Sequence, residues 1–174
     1  MAWEPLLTPQ LDVCAAMSAS LRDANTSQSV IDIFDGLERL LGLEVFRSVF
    51  PVLLTDNGTE FSNPGAIERS VDGESVRTRV FYCDPYAAWQ KPNVENNHRN
   101  LRRILPKGES MDFLTQEKVN LALSHMNSVI RASLGNVTAA RRFAQCYGED
   151  VLEKLGIGEI APDQVRMTPE LVRD

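Results

Sequence analysis

Asp56 is the first of two acidic residues at positions where carboxylates often take part in catalysis or metal binding. It ends the apolar run at residues 51–56 (PVLLTD), and an Asn57-Gly58 turn follows it. Side chains at the carboxyl ends of strands in α/β sheets face the cleft where such sheets place their sites. Gly58 can take a positive φ and lets the chain turn sharply. A plain turn is the alternative, because Asp-Asn-Gly is a favourable turn sequence by itself.

Glu95 is the second acidic residue, in the first turn of a predicted helix after Pro92 and Asn93. An acid there also stabilises a helix through its dipole, which is the alternative to a functional role. If Asp56 and Glu95 come together, they could hold Mg²⁺ or Mn²⁺, which prefer oxygen ligands. Two such ions about 3.5–4 Å apart can activate an attacking oxygen and stabilise a leaving oxygen in a phosphodiester displacement.

A basic stretch surrounds Glu95 in a chain whose net charge is −6. Between positions 91 and 107 the single acid is Glu95, and the five basic residues are Lys91, Arg99, Arg102, Arg103 and Lys107. These side chains could hold a DNA backbone around the metal ions. The alternative is a helix face that is simply exposed to solvent, and for a run of charges alone this is the more common explanation.

The two histidines are weaker candidates for metal ligands. His98 lies one helical turn after Glu95, and His125 lies within an apolar helical pattern. A structural or solvated histidine is the better interpretation for both, because the helical two-histidine zinc pattern is absent. The sequence also contains no P-loop, no GxGxxG pattern and no nucleophile elbow.

Alternating strand and helix patterns would position these residues in an α/β layer protein. We predict short strands within 6–20, a buried strand at 51–56 and a strand at 77–83. Helices are predicted at 27–42, 93–105, 115–131, 138–147 and 149–155. Ser27 or Ser29 would cap the first helix, Gly42 would end it, and Thr115 would cap the third. Residues 63–76 are expected to be a loop or a short helix, and the last dozen residues to be weakly ordered.

The composition is that of an ordinary globular protein, with 43% hydrophobic and 24% charged residues among 174. No apolar run is long enough to span a bilayer, and the N-terminus does not resemble a signal peptide. Cys14, Cys83 and Cys146 show neither metal-ligand spacing nor a disulfide framework. A reducing cytoplasm is therefore the expected compartment.

Three stretches of the chain resemble one family. They are residues 51–62 (PVLLTDNGTEFS), 81–108 (FYCDPYAAWQKPNVENNHRNLRRILPKG) and 21–31 (LRDANTSQSVI). They are similar to the integrase-core transposases of bacterial insertion sequences, specifically the insertion-sequence-thirty family. The resemblance runs from about residue 6 to about residue 156, and the block around Trp89-Gln90 and Glu95-Asn96-Asn97 is highly specific.

The resemblance implies a ribonuclease H-like (integrase catalytic core) fold, in which helices flank a mixed sheet, here with extra C-terminal helices. It also implies metal-dependent DNA strand cleavage and transfer by an Asp-Asp-Glu triad that uses Mg²⁺ or Mn²⁺. Asp56 matches the second aspartate of that triad and Glu95 matches the glutamate. We assign 1–156 to this core and 157–174 to a C-terminal tail. The expected DNA contacts are Trp89, Gln90, Lys91, Asn96, Arg99, Arg102, Arg103 and Lys107.

The chain departs from the family pattern in several places. The family's first aspartate lies on a strand upstream of the stretch that matches residues 6–8, so the chain is expected to lack that strand. It is also expected to lack the family's N-terminal helix-turn-helix. Asp12 is the one possible substitute for the missing aspartate, and Pro92 stands where the family usually has glycine. A truncated or decaying gene copy would explain the small and polar residues of the predicted N-terminal strands, Gln10, Ser18 and Ser20.

Two functional hypotheses follow. In the first, the chain is a transposase core in which water or a 3′-hydroxyl attacks phosphorus, while Asp56, Glu95 and a third carboxylate hold the metal ions. In the second, the chain is a non-catalytic remnant that binds DNA or a full-length transposase subunit. The missing first aspartate favours the second hypothesis. The expected partners are DNA, both element ends and target, and a second copy or a transposase subunit, without a membrane.

Overall fold

Short strands and medium-length helices alternate along the chain, as the hydrophobic patterns predict. The structure is a computed structural model that describes residues 6–11, 14–84, 92–108 and 110–173. It has two compact units: a terminal unit formed by Met1–Leu21 with Pro92–Asp174, and a central unit formed by Arg22–Lys91. The α/β class is confirmed. The described strands form four separate two-stranded sheets and not the single mixed sheet that was expected.

The terminal unit begins with one antiparallel hairpin whose ladder is interrupted in the middle. Its strands are β1 (Leu6–Leu7), β2 (Gln10–Leu11), β3 (Ala16–Met17) and β4 (Ser20–Leu21). β1 pairs with β4 and β2 pairs with β3 in one common register. The interruption falls at Pro9, which has no N–H to donate. Its carbonyl accepts the N–H of Ser18 at 3.2 Å.

Side-chain amides cover the outer edge of this hairpin. Asn127 accepts the N–H of Met17 at 3.1 Å and donates to its carbonyl at 2.8 Å. Gln116 accepts the N–H of Leu21 and donates to the carbonyl of Ala19, both at 2.9 Å. Two amides thus take the place of a neighbouring strand, which closes an edge that would otherwise be open to other chains.

Several small residues of the hairpin belong to the core of the terminal unit. Ala16 and Met17 are fully buried, and Ser18 and Ala19 are nearly so. Small side chains allow the amide-bearing helix to approach the hairpin backbone within hydrogen-bond distance. Their presence therefore has a packing reason, and a decaying gene copy stays a hypothesis.

Four α-helices, a second hairpin and short 3-10 turns complete the terminal unit. These elements include α4 (Pro92–Ile104), α5 (Gln116–Asn127), β7 (Ile130–Arg131), β8 (Val137–Thr138), α6 (Ala139–Tyr147) and α7 (Glu149–Lys154). One of the 3-10 turns lies at Pro169–Val172. Thr115 caps α5 by accepting the N–H of Lys118, as predicted. The predicted helix at 115–131 is too long, because Ser128 ends α5 and a strand follows.

The C-terminal segment is not the weakly ordered tail that was expected. Three side chains of α5 accept its backbone N–H groups: Ser124 from Gly158, His125 from Arg166 and Ser128 from Ile160. Val172 is buried in the 3-10 turn, which packs against α4 and α5. Long-range hydrogen bonds of this kind leave no periodic signal in a sequence.

The central unit contains α1 (Ser27–Leu41), α2 (Leu43–Val49), β5 (Val52–Thr55), α3 (Pro64–Glu68) and β6 (Arg79–Tyr82). α1 ends at Gly42, which has a φ of 81°, as predicted. Thr26 caps α1 in place of the expected Ser27 or Ser29, and Ser29 completes the capping box. α2, which follows directly after Gly42, was not predicted.

A buried ion cluster lies inside the central unit. Arg77 is 1% exposed, and its guanidinium contacts Asp35 at 2.5 Å and Glu38 at 3.2 Å. Its Nε also donates to the carbonyl of Ile67 at 2.7 Å. The guanidinium lies over the ring of Phe46, 5.7 Å from the centroid. These contacts join α1, α3 and the start of β6.

The parallel pair of β5 and β6 carries the first candidate residue at its carboxyl end. Leu54 pairs with Phe81 and Thr55 with Tyr82. The strand prediction for 51–56 is confirmed, but its burial is wrong: Val52 is 53% and Leu54 39% exposed. No helix in the described parts of the chain is long and apolar enough to cross a membrane.

Candidate nucleic-acid interface and carboxylate residues

Asp56 follows β5 directly and is exposed. One of its carboxylate oxygens, Oδ1, accepts the N–H of Gly58 at 3.2 Å. This hydrogen bond forms the plain turn that is the alternative to a functional role for Asp-Asn-Gly. The turn occupies Oδ1 only, so the carboxylate keeps a free oxygen that could bind a cation.

Gly58 turns the chain without using the positive φ that glycine permits, since its φ is −61°. A Cβ at this position would lie 2.4 Å from a carboxylate oxygen of Glu60 and 3.1 Å from Oδ1 of Asp56. A larger residue at position 58 would therefore require the carboxylate of Glu60 to move.

Glu60 is a second acidic residue next to Asp56, and it was not among the predicted site residues. Its carboxylate lies 3.6 Å from the guanidinium of Arg22, and both side chains are largely buried. Tyr82 of β6 donates its hydroxyl proton to the carbonyl of Phe61 at 2.6 Å. The turn after β5 is thus held from two sides. The Asp-Asn-Gly-x-Glu spacing was the available signal for Glu60.

α4 presents the second carboxylate and the basic residues on its exposed side. Glu95 lies in the first turn of α4 and is exposed, as the helix-dipole interpretation also expects. Pro92 begins the helix, where proline is well tolerated. All the other predicted contact residues that the structure describes are exposed as well: Asn96, Arg99, Arg102, Arg103 and Lys107.

The four basic side chains are not consumed by ion pairs. In the described ranges, salt bridges involve other arginines and leave out Arg99, Arg102, Arg103 and Lys107. The prediction that these residues are exposed and outside buried ion pairs is confirmed. Their nearness to a metal-binding cleft stays a prediction.

Asn97 fixes the opposite side of α4 against the N-terminal hairpin. It is fully buried, and its Nδ2 donates to the carbonyl of Ala15 at 3.0 Å. Arg131 of β7 donates to the same carbonyl at 2.8 Å. Ala15 has a φ of 52°, which is uncommon for a residue with a side chain. Neither role was predicted from the sequence, since the contacts span 82 and 116 residues.

The two matched carboxylates lie in different units, Asp56 in the central unit and Glu95 in the terminal unit. Their shared cleft therefore stays a prediction. Four other candidates, Asp12, Trp89, Gln90 and Lys91, lie outside the described residues. Within the described ranges, no three or more histidine, cysteine, aspartate or glutamate side chains form a group that could hold a metal ion.

Both histidines make contacts within the protein, as predicted for structural histidines. Nε2 of His98 lies 3.0 Å from the hydroxyl of Thr8. His125 is buried, and its Nδ1 accepts the N–H of Arg166 at 3.0 Å. Because a backbone N–H can only donate, this Nδ1 must be unprotonated.

We expect His125 to make the terminal unit less stable in acid. Burial, and then the nearby Arg166, lower the pKa of His125 below its ordinary value of 6.5. Since the folded pKa lies below the unfolded one, the stabilisation is complete above the unfolded pKa. It is lost as the pH falls through the folded pKa. The measurement is the free energy of unfolding by denaturant, at a series of pH values across this window, for the wild type and His125→Asn.

Asparagine can accept the Arg166 N–H without titrating, so the variant should lose less stability in acid than the wild type. Equal losses in the two proteins would show that other groups cause the pH dependence.

No protein-family model matches the chain. No solved structure matches it either, so the ribonuclease H-like fold has no support from a known neighbour.

Curated proteins do match parts of the chain. The transposase for insertion sequence element IS4351 of Bacteroides fragilis is 23% identical over 108 residues, 62% of this chain and 32% of that protein. The transposase for IS1086 of Cupriavidus metallidurans is 36% identical over 56 residues, 32% of this chain and 16% of the relative. Transposase InsI for IS30A of Escherichia coli is 30% identical over 60 residues, 34% of this chain and 16% of that protein.

The matched part of this chain spans a third or less of the length of these relatives. The resemblance that the residues indicated is nevertheless confirmed, because several of the matching proteins are insertion-sequence transposases. The chain is related in sequence to the transposases of bacterial insertion sequences, including that of an insertion-sequence-thirty element.

Proposed function

We propose that the chain is a transposase-derived protein that binds DNA through the exposed side of α4 and retains two carboxylates of a metal-dependent site. One observation carries the proposal: Arg99, Arg102, Arg103 and Lys107 are all exposed, and no ion pair in the described ranges involves them. Elsewhere, arginines such as Arg47 and Arg141 do pair with acids.

Helical spacing supports a single binding surface on α4. Glu95, Arg99 and Arg102 are separated by four and three residues, so they lie along one side of a helix. Arginine is well suited to phosphate because its planar guanidinium donates in a fixed fork. The basic side chains would contact the DNA backbone, and Asn96, Trp89, Gln90 and Lys91 would add further contacts. Element ends and target DNA are the proposed partners.

The proposed fold of the whole core is ribonuclease H-like. Its support is the parallel pairing of β5 with β6, with Asp56 placed directly after β5. In parallel sheets the carboxyl ends of the strands form the edge where sites assemble. The sequence relation to transposases adds support of a different kind.

Asp56 and Glu95 are the proposed ligands for Mg²⁺ or Mn²⁺. Both are exposed, both offer oxygen donors, and neither is in an ion pair within the described ranges, so the donor chemistry fits a hard cation. When bound, two such ions would activate the attacking oxygen and stabilise the leaving oxygen. The residues of this chain would hold the ions, while α4 holds the DNA backbone beside them.

DNA binding is the first candidate activity, and the exposed basic residues of α4 support it. Asp56 and Glu95 match two positions of the family triad, and cleavage would require a third carboxylate beside them. An active transposase is the second candidate, favoured by the exposed and unpaired state of Asp56 and Glu95. A remnant could also bind a transposase subunit.

The test is DNA affinity as a function of salt concentration. We expect binding to weaken steeply between about 50 and 200 mM salt, because each phosphate contact releases counterions. The triple variant Arg99→Gln, Arg102→Gln, Arg103→Gln should reduce the slope of log affinity against log salt by about 0.9 per lost contact. Arg142→Gln, an exposed arginine on α6, is the matched control and should change the slope little.

An affinity that does not change over this salt range would contradict the proposed interface. A triple variant that binds like the wild type would place the interface elsewhere.

A further inference from the structure

A polar side chain lies in the buried stripe of α4. Asn97, Leu101 and Ile104 follow one another at spacings of four and three residues, so they lie on one side of the helix. All three are buried, and Asn97 is fully buried. An asparagine in this position contributes little apolar area, so its burial needs a reason other than the hydrophobic effect.

The apolar part of the stripe does not by itself fix the rotation of α4 about its axis. Burial of apolar area is non-directional, so Leu101 and Ile104 would be buried in several neighbouring rotations of the helix. A hydrogen bond is directional and weakens steeply when its angle falls. For this reason, one polar residue in an otherwise apolar helix contact can select a single register.

The acceptor of the Asn97 amide is the carbonyl of Ala15, in the turn of the N-terminal hairpin. Ala15 is buried, and Arg131 of β7 donates to the same carbonyl at 2.8 Å. Two residues further along, Asn127 of α5 binds both the N–H and the carbonyl of Met17. The acceptor therefore belongs to a backbone segment that two other elements already hold in place.

The rotation of α4 decides where its exposed side points. Glu95, Arg99 and Arg102 are exposed in the rotation that the Asn97 hydrogen bond accompanies. Successive residues of an α-helix are separated by about 100° of rotation. A slip of α4 by one residue would therefore turn all three side chains by that angle relative to the rest of the terminal unit.

We propose that Asn97 is a positioning residue of the DNA interface on α4. Its amide, anchored on the carbonyl of Ala15, holds α4 in the rotation that directs Arg99 and Arg102 towards phosphates of one DNA molecule. Asn97 acts through these neighbours and does not contact DNA, since it is fully buried. The inference rests on the DNA binding proposed above.

The first experiment compares two variants that each remove one donor from the carbonyl of Ala15. Asn97→Leu removes the donor on α4. Arg131→Met, the matched control, removes the donor on β7. In both variants the carbonyl keeps its other donor, so this buried acceptor is not left unsatisfied. Circular dichroism checks that each variant is folded, and Asn97→Ala repeats the test without the added bulk of leucine.

The readout is the slope of log DNA affinity against log salt concentration. Asn97→Leu should bind more weakly than the wild type, and the slope should fall by about 0.9 for each phosphate contact that the turned arginines lose. Arg131→Met should keep the wild-type slope, because Asn97 still holds α4. The midpoint of unfolding by denaturant is measured as well, since a purely structural role for Asn97 would move this midpoint and leave the slope unchanged.

A second experiment follows the rotation of α4 without DNA. Leu101→Cys places a thiol in the buried stripe, with Cys83 and Cys146 replaced by serine. A water-soluble thiol reagent should label this cysteine slowly, because position 101 is buried. Adding Asn97→Leu or Asn97→Ala should make the labelling severalfold faster, whereas adding Arg131→Met should not. Mass spectrometry of peptides locates the label, since the buried Cys14 remains.

Two results would overturn the proposal. One is an unchanged slope of DNA binding in both Asn97 variants. The other is labelling at position 101 that neither Asn97 variant makes faster. A wild type whose DNA binding does not depend on salt would contradict the proposed function instead, and the labelling experiment would still decide whether Asn97 sets the rotation of α4.

Discussion

Arg77→Met is expected to lower the free energy of unfolding of the central unit by about 3–5 kcal/mol. Removing one partner of a buried ion cluster leaves the others buried without a counter-charge. Here the change would leave Asp35 and Glu38 next to each other, and Glu38 is almost fully buried. The carbonyl of Ile67 would also lose its donor. The measurement is equilibrium unfolding by denaturant, followed by circular dichroism.

The matched control is Arg47→Met, which removes another arginine of the same unit. Arg47 contacts Glu44 at 2.8 Å, but both side chains are exposed to water. Exposed ion pairs contribute at most about 1 kcal/mol. If Arg77→Met were no more harmful than Arg47→Met, the buried cluster would not be what stabilises the central unit.

The purified chain is expected to show no metal-dependent strand cleavage or transfer by itself. Two matched carboxylates, Asp56 and Glu95, would leave the metal ions short of ligands. Neutralising the charge that develops on the phosphoryl oxygens is most of what such a site does, so the rate should fall by several powers of ten. The measurement is nicking of DNA that carries insertion-element ends, in Mg²⁺ and separately in Mn²⁺.

DNA binding by the same preparation is the control, because it shows that the protein is folded and that the interface is intact. Asp12→Asn and Asp56→Asn separate the possible outcomes. Metal-dependent nicking that both variants abolish would contradict the remnant hypothesis and identify Asp12 as the missing ligand. Nicking that neither variant affects would indicate a contaminating nuclease.

Local sequence determined most of the helices and the surface of α4. α1 is predicted from its apolar spacing and from Gly42, which ends it, and α5 from its cap at Thr115. The basic residues after Glu95 are exposed, as a cationic run on a helix predicts. These features depend on residues within one or two helical turns of each other, and the sequence displays such neighbours directly.

Tertiary structure alone decided which polar side chains are buried and which apolar ones are exposed. Nothing near Arg77 in the sequence indicates that it contacts Asp35, which is 42 residues away. Asn97 and Arg131 meet at the carbonyl of Ala15 across still longer separations.

The strand at 51–56 also shows that the sequence predicted conformation but not burial. Its apolar run predicted a strand, and β5 is that strand, but the run could not predict exposure. Burial of a strand depends on whether another element packs over its face, and that element can come from anywhere in the chain or from another chain. Conformation is largely a local property, whereas burial and pairing are properties of the assembled fold, and for that reason only the tertiary structure decided them.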